Sequence, residues 1–133
     1  MLAVGLPVLG TMLGSCTTRY FAQANFSNDR LQVMKSEFQY LKKEKLVERD
    51  FVFVKLEGEF PICLYKEAEG NYSASLMQCT HQGCETHLEG KLFVCPCHGS
   101  EFAIDGKVLK GPADSNLKTY KTETDDENIY IYI

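Results

Sequence analysis

The sequence lacks the features that mark several common functional classes. Its formal net charge is −4 over 133 residues, so it has no basic excess of the kind that a nucleic-acid-binding surface needs. It contains no glycine-rich phosphate or dinucleotide loop. The segment 95–98 reads Cys-Pro-Cys-His, which is not the Cys-x-x-Cys-His spacing of haem attachment. Tryptophan is also absent, which excludes nothing in so short a chain. Six cysteines and three histidines remain as the main carriers of chemistry.

The length and composition indicate one domain with a modest core. Apolar residues make up 44% of the chain and charged residues 24%. No segment has the composition of wholesale disorder. At this size a single hydrophobic core is expected.

Residues 79–100 hold four of the six cysteines and all three histidines. They form two boxes, Cys-Thr-His-Gln-Gly-Cys at 79–84 and Cys-Pro-Cys-His-Gly-Ser at 95–100. The spacing Cys-x-His, thirteen intervening residues, then Cys-x-x-His predicts four ligands: Cys79, His81, Cys95 and His98. Two thiolates and two imidazoles suit either one tetrahedral zinc ion or a two-iron cluster with one iron on sulfur and the other on nitrogen. Cys84 and Cys97, the second cysteines of the boxes, are left over.

The two boxes resemble those of Rieske iron–sulfur proteins, specifically the high-potential branch found in cytochrome bc-type quinol-oxidising complexes. The resemblance implies one [2Fe-2S] cluster, with the inner iron bound by Cys79 and Cys95 and the outer iron by His81 and His98. It also implies a disulfide between the remaining cysteines of the boxes, Cys84 and Cys97. Rieske ferredoxins and oxygenase domains lack that pair.

The same resemblance assigns roles around the cluster. Gly83 and Gly99 would let the backbone fold closely around it. Ser100 would donate its hydroxyl to a bridging sulfide, and Pro112 would stiffen a Gly-Pro loop that covers the cluster. Phe102 stands where high-potential members usually carry a tyrosine that bonds a cysteine sulfur. We therefore expect a potential below the top of the Rieske range of roughly −150 to +300 mV.

The function implied is electron transfer from quinol toward a c-type cytochrome, within a membrane-associated respiratory complex. His81 and His98 are then the candidates for the hydrogen bond to quinol. The chain would be an oxidoreductase subunit and not a complete enzyme. Gln82 replaces the leucine usual at the docking tip of complex-bound members, which leaves the redox partner open.

Two other functions remain as alternatives. One is the Rieske small subunit of a periplasmic molybdenum oxidase of the arsenite-oxidase kind. The other is a non-redox binding module stabilised by zinc or disulfides.

The N-terminus has the pattern of an exported lipoprotein. Residues 1–15 form an apolar segment too short for a membrane-spanning helix of about 20 residues and suited to a signal sequence. Leu13-Gly14-Ser15-Cys16 resembles a bacterial lipobox, which predicts acylation of Cys16. Residues 16–28 then read as a tether, and the protein is expected on the extracytoplasmic face of a bacterial membrane. The alternative is a buried N-terminal element with an incidental cysteine.

Residues 29–133 are predicted to fold as an all-β domain. The resemblance implies stacked antiparallel sheets with an inserted cluster-binding subdomain at about 78–113. Glu89-Gly90 and Asp105-Gly106 predict hairpins within that subdomain. Residues 35–48 fit either a short helix or a strand with a long turn.

Two residues with reactive side chains are expected to play no part in the site. Cys63 lies in an apolar run and is predicted to be a buried free thiol. His87 falls off the ligand spacing and is predicted to be an exposed strand residue.

Overall fold

The computed structural model describes residues 19–133, so the signal segment and the predicted acylation of Cys16 lie outside the described residues. The regular secondary structure of the described chain is nearly all strand, and its only helical elements are two 3₁₀ turns at Lys35–Phe38 and Ala68–Gly70. The strands are β1 (Ala24–Ser27), β2 (Arg30–Met34), β3 (Gln39–Lys42), β4 (Lys45–Glu48), β5 (Phe51–Val54), β6 (Ile62–Lys66), β7 (Tyr72–Leu76), β8 (His87–Glu89), β9 (Leu92–Val94), β10 (Glu101–Ala103), β11 (Val108–Lys110), β12 (Thr119–Tyr120), β13 (Thr122–Thr124) and β14 (Asn128–Tyr132). The predicted all-β class is confirmed.

The strands form three four-stranded antiparallel sheets and one separate hairpin. The sheet orders are β1-β2-β14-β13, β12-β7-β6-β5 and β11-β10-β9-β8, and β3 pairs only with β4. In the first sheet Leu31 lies opposite Ile131, and Val33 lies opposite Ile129. All four are buried, because alternate residues of these strands face the second sheet.

The second sheet is the middle layer of the molecule. Val52 and Val54 of β5 belong to the core shared with the first sheet, whereas Phe53 between them belongs to a second core. β6 divides in the same way, with Cys63 in the second core. Burial on both faces explains why these strands are continuous apolar runs and do not alternate with polar residues.

The second core carries the cysteine boxes. It joins the middle sheet to the third sheet through a set of buried residues that includes Met77, Cys79, Phe93, Cys95 and Phe102. The hairpins predicted at Glu89-Gly90 and Asp105-Gly106 are confirmed as the β8–β9 and β10–β11 turns.

Residues 19–28 differ from the tether expected there. The backbone N–H of Ala22 donates to the carbonyl of Phe53 at 2.8 Å, and the N–H of Phe53 donates to the carbonyl of Tyr20 at 3.1 Å. β1 then pairs along its whole length with β2. The side chains of β1 are mostly exposed. The strand is therefore held by its backbone hydrogen bonds, and the sequence has no apolar alternation that would predict it.

Residues 35–48 form a 3₁₀ turn followed by the β3–β4 hairpin. Phe38 ends the turn and is buried against the first core, with its ring centroid 5.4 Å from that of Tyr72. Within residues 19–133, no helix is long and apolar enough to cross a bilayer.

Candidate metal centre

The first box forms a loop between β7 and β8 that closes on its own backbone. The N–H of Cys79 donates to the carbonyl of Cys84 at 2.8 Å, and the N–H of Gly83 donates back to the carbonyl of Cys79 at 2.9 Å. Gly83 has φ +76°, a conformation that side chains disfavour. The loop therefore needs glycine at this position for its backbone shape.

The second box repeats the same pattern between β9 and β10. The N–H of Cys95 donates to the carbonyl of Ser100 at 2.8 Å, and the N–H of Gly99 donates to the carbonyl of Cys95 at 2.9 Å. Gly99 has φ +80°. The cysteine-to-glycine spacing is the same in both boxes, so equal spacing in the sequence produces equal turns.

The four predicted ligands separate into a buried pair and an exposed pair. Cys79 and Cys95 are only 2% and 1% exposed and lie in the second core. His81 and His98 are exposed, with ring centroids 4.9 Å apart and planes at 88°. The site thus has thiols on its inner side and imidazoles on its outer side.

The separation of the donor atoms distinguishes between one metal ion and two. A single zinc ion holds four ligands at about 2.0–2.3 Å, which brings the donor atoms within roughly 4 Å of one another. Among the described residues, no three of the four donor atoms lie within 4.8 Å of one another. This spread does not match a single zinc ion, and the buried thiols and exposed imidazoles fit a larger group with sulfur ligands on its inner side and nitrogen ligands on its outer side.

A disulfide joins the two loops. Cys84 and Cys97 are bonded, with their Cα atoms 6.5 Å apart, so the predicted pairing is confirmed. Their sulfur atoms and that of Cys95 all lie within 4.8 Å of one another. Because both are consumed in the disulfide, they are not metal ligands, and the bridge lies directly against a predicted ligand thiol.

A third loop, residues 111–116, is fastened to both boxes. The buried Ser100 Oγ accepts a hydrogen bond from the N–H of Ala113 at 3.0 Å. The Thr80 hydroxyl donates to the carbonyl of Ser115 at 2.7 Å. The Ser100 hydroxyl still has its own proton to donate, which suits the role expected of it toward a sulfide. Sequence reasoning missed Thr80 as a positioning residue, because its partner is 35 residues away.

The remaining site residues lie as follows. Phe102 is fully buried in the same core as the two ligand thiols, and Gln82 is exposed on the first loop.

Cys63 is 1% exposed and unpaired, and burial raises the pKa of its thiol to about 12, which supports the prediction of an inert thiol. His87 lies on β8 with its Nε2 2.8 Å from Glu89 and belongs to neither box.

A β scaffold that presents two disulfide-linked cysteine–histidine loops, thiols inside and imidazoles outside, defines a Rieske-type iron–sulfur protein. The family model described as the Rieske [2Fe-2S] domain matches residues 36–121. The chain belongs to this family, is an electron-transfer protein, and its domain binds a [2Fe-2S] cluster.

Solved structures agree with this assignment. The cyanobacterial plasma membrane Rieske protein PetC3 from Synechocystis PCC 6803 is 39% identical, with a TM-score of 0.55 over 62% of this chain and 85% of that chain. Two oxygenases share the fold at lower identity. Naphthalene 1,2-dioxygenase with bound indole is 23% identical, with a TM-score of 0.51 over 61% of this chain and 22% of its own. The quaternary ammonium Rieske monooxygenase CntA in complex with L-carnitine is 21% identical, with a TM-score of 0.52 over 62% of this chain and 27% of its own. No curated protein matches the chain.

Proposed function

We propose that this chain is the electron-transfer subunit of a membrane-associated respiratory complex, moving electrons from quinol toward a c-type cytochrome. The observation that carries the proposal is the pair of exposed imidazoles, His81 and His98, above two buried thiols on disulfide-linked loops. The likeness to a plasma membrane Rieske protein supports a membrane setting.

We assign the inner iron to Cys79 and Cys95 and the outer iron to His81 and His98. When bound, the cluster accepts and releases one electron, at a potential raised by its two neutral imidazole ligands. The buried thiols hold the inner side away from water. Ser100 positions the third loop over the site through its bond to Ala113.

The exposed imidazoles bind and orient the donor. The ring nitrogen that is not bound to iron carries a proton in a neutral imidazole, and once that proton has been released the nitrogen can accept a hydrogen bond from a quinol hydroxyl and take up its proton. Oxidising a quinol requires removal of both electrons and protons, so a proton acceptor at the exposed edge serves the reaction. The buried thiols cannot take this role.

The proposed location is the extracytoplasmic face of a bacterial membrane, with the chain anchored through an acylated Cys16. The disulfide supports an oxidising compartment, since cytosolic thiols are kept reduced. Mass spectrometry of the N-terminal peptide from membranes tests the acylation.

Ligand variants test the site. Anaerobically purified protein should contain iron and acid-labile sulfide in equal amounts and give a Rieske-type EPR signal after reduction with dithionite. His81→Asn and His98→Asn should abolish that signal. His87→Asn is the matched control because it removes an imidazole outside the boxes, and it should leave the signal intact. Zinc without labile sulfide in the native protein would refute the assignment.

Partners that co-purify from detergent-solubilised membranes test the function. Recovery with a cytochrome b and quinol–cytochrome c reductase activity would support the proposal. Recovery with a large molybdenum-containing subunit would refute it in favour of the oxidase alternative. The exposed, polar Gln82 at the tip makes this comparison necessary, because complex-bound relatives of the branch usually carry leucine there.

A further inference from the structure

The β3–β4 hairpin displays two leucines to solvent. β3 and β4 form a sheet of their own, and Leu41 lies directly opposite Leu46. Opposed residues in an antiparallel pair project from the same face, so the two side chains form one apolar patch. They are 73% and 65% exposed, and Leu41 is the most exposed large apolar residue between 19 and 133. The patch contributes nothing to either core.

Three lysines lie at the end of the hairpin beside the patch, and Lys42 and Lys45, which oppose each other, project from the face opposite the leucines. Lys42, Lys43 and Lys45 are all exposed, and only Glu44 opposes them locally, in a chain whose net charge is −4. None of the three forms a salt bridge within residues 19–133. The hairpin end is therefore a local basic site on an acidic protein.

The turn geometry does not explain this composition. Lys43 and Glu44 form the two-residue turn with φ +49° and +65°, where asparagine and glycine are preferred. The β1–β2 turn has nearly the same shape, with φ +48° and +64°, and uses the better suited Asn28 and Asp29. Lys43 and Glu44 are thus present in the β3–β4 turn although its backbone conformation favours other residues.

The N-terminal chain enters the domain beside this hairpin. The guanidinium of Arg49 lies 3.9 Å from the ring centroid of Tyr20 and 4.4 Å from that of Tyr40, the residue before Leu41. The Tyr20 hydroxyl also donates to Glu37 at 2.8 Å, in the 3₁₀ turn that precedes the hairpin. Tyr20 follows Cys16 by four residues, which span at most about 14 Å, so an anchor at Cys16 would hold this side of the domain close to the bilayer.

We propose that the hairpin end is a second membrane contact, in which Leu41 and Leu46 enter the interface of an anionic bilayer and Lys42, Lys43 and Lys45 bind its headgroups. A hairpin end that carries both an exposed apolar pair and three lysines has the composition that favours an anionic lipid surface, because long lysine side chains can extend to the headgroups from either face. The remaining acidic surface is repelled by the same lipids, so the hairpin orients the domain. This inference goes beyond the proposed redox function and does not depend on it, but it rests on the proposed anchor at Cys16 for the position of the domain at the membrane.

The absence of tryptophan provides a clean test. The full-length chain carrying Leu46→Trp is reconstituted into vesicles of phosphatidylcholine alone or mixed with phosphatidylglycerol, with and without brominated lipid. We expect a blue-shifted emission that brominated lipid quenches, more strongly with the anionic lipid. Adding Lys42→Glu and Lys43→Glu should reduce quenching, since each lysine near an anionic surface contributes roughly a fivefold change in affinity.

The matched controls are Leu109→Trp, at an exposed leucine of β11, and Phe26→Trp, beside the similar β1–β2 turn. Neither should be quenched. Equal quenching at positions 46 and 109 would show unspecific adsorption and overturn the proposal. In detergent, a blue shift of the Leu46→Trp emission that increases with protein concentration would show that the patch binds a second copy of the chain. That result would also overturn the proposal. The cluster EPR signal should be unchanged in all these variants. A failure of the membrane-contact proposal can therefore be distinguished from a failure of the redox proposal.

Discussion

Phe102 is the residue through which this chain departs most clearly from the high-potential pattern. Its ring is fully buried in the core that contains Cys79 and Cys95, and it lies opposite Phe93 in the β9–β10 pair. A phenyl ring fills this position but donates no hydrogen bond. If Cys79 and Cys95 are the sulfur ligands, as proposed, they lack one hydrogen bond that would stabilise the more negative, reduced cluster.

Replacing Phe102 by tyrosine should raise the reduction potential. A hydroxyl that donates to a ligand sulfur stabilises the reduced form, so the shift is upward. Redox titration of Phe102→Tyr followed by EPR measures it. Phe38→Tyr is the control, because it adds a hydroxyl to an equally buried ring in the other core and should leave the potential unchanged. An unchanged potential in Phe102→Tyr would discredit this account of the difference.

Among the turns, the β3–β4 connection has backbone strain that its residues do not relieve. Lys43 and Glu44 both occupy the left-handed region, which disfavours side chains by about 1–2 kcal/mol per residue. Lys43→Asn with Glu44→Gly should therefore raise the free energy of unfolding by about 1 kcal/mol. Chemical denaturation of the holo-protein measures the change.

The β1–β2 turn provides the reciprocal experiment. Asn28→Lys with Asp29→Glu places the less suited pair in almost the same geometry and should lower stability by a similar amount. If neither exchange altered the denaturation midpoint, turn conformation would not be what distinguishes the two hairpins.

The β13–β14 turn is the element whose stability depends most clearly on pH. The pKa of Asp125 is lowered to about 2, first by the Tyr130 hydroxyl and then by the backbone N–H groups of Glu127 and Asn128. A lowered pKa means that the carboxylate stabilises the folded state above the unfolded pKa of about 3.9 and loses this effect as pH falls through about 2. Asp125→Asn should therefore flatten the loss of stability between about pH 4 and pH 2.

Thermal unfolding across that pH window tests the effect. The control is Asp126→Asn, which removes the neighbouring exposed carboxyl from the same turn. Equal acid sensitivity in the Asp125 variant and the parent would show that the bonds around Asp125 contribute nothing to folding.

Elements with local signals could be predicted from the sequence, and those held by distant partners could not. The hairpins at Glu89-Gly90 and Asp105-Gly106 were predictable because turn residues act within a few positions. Strand β1 was not, because its side chains are exposed and its hydrogen bonds go to β2. At the site, the family resemblance predicted the Cys84–Cys97 disulfide, which is present. The bond from Thr80 to Ser115 depends on a tertiary approach that no local pattern encodes.

At the scale of the whole molecule, the two cores divide the protein into a scaffold and a cluster-binding part. The first core is built from the first and middle sheets and contains none of the predicted ligands. The second contains Cys79 and Cys95 and reaches the scaffold only through the middle sheet and its flanks. His81 and His98 lie on the exposed side of the two loops and belong to neither core. Bound metal should therefore contribute mainly to the stability of the second part.

Removing the cluster should loosen the loops and leave the scaffold folded. After mild chelation, hydrogen exchange measured by mass spectrometry should accelerate in residues 77–86, 95–100 and 111–116, whereas β2 and β14 stay protected. The Cys84–Cys97 disulfide persists in the apo-protein, and a cross-link closing a loop of about 15 residues contributes roughly 3 kcal/mol. Subsequent reduction should therefore accelerate exchange further in the same loops only. Loss of protection in β2 and β14 upon chelation alone would mean that the two cores unfold as one unit, because a scaffold with its own core does not need the metal to remain folded.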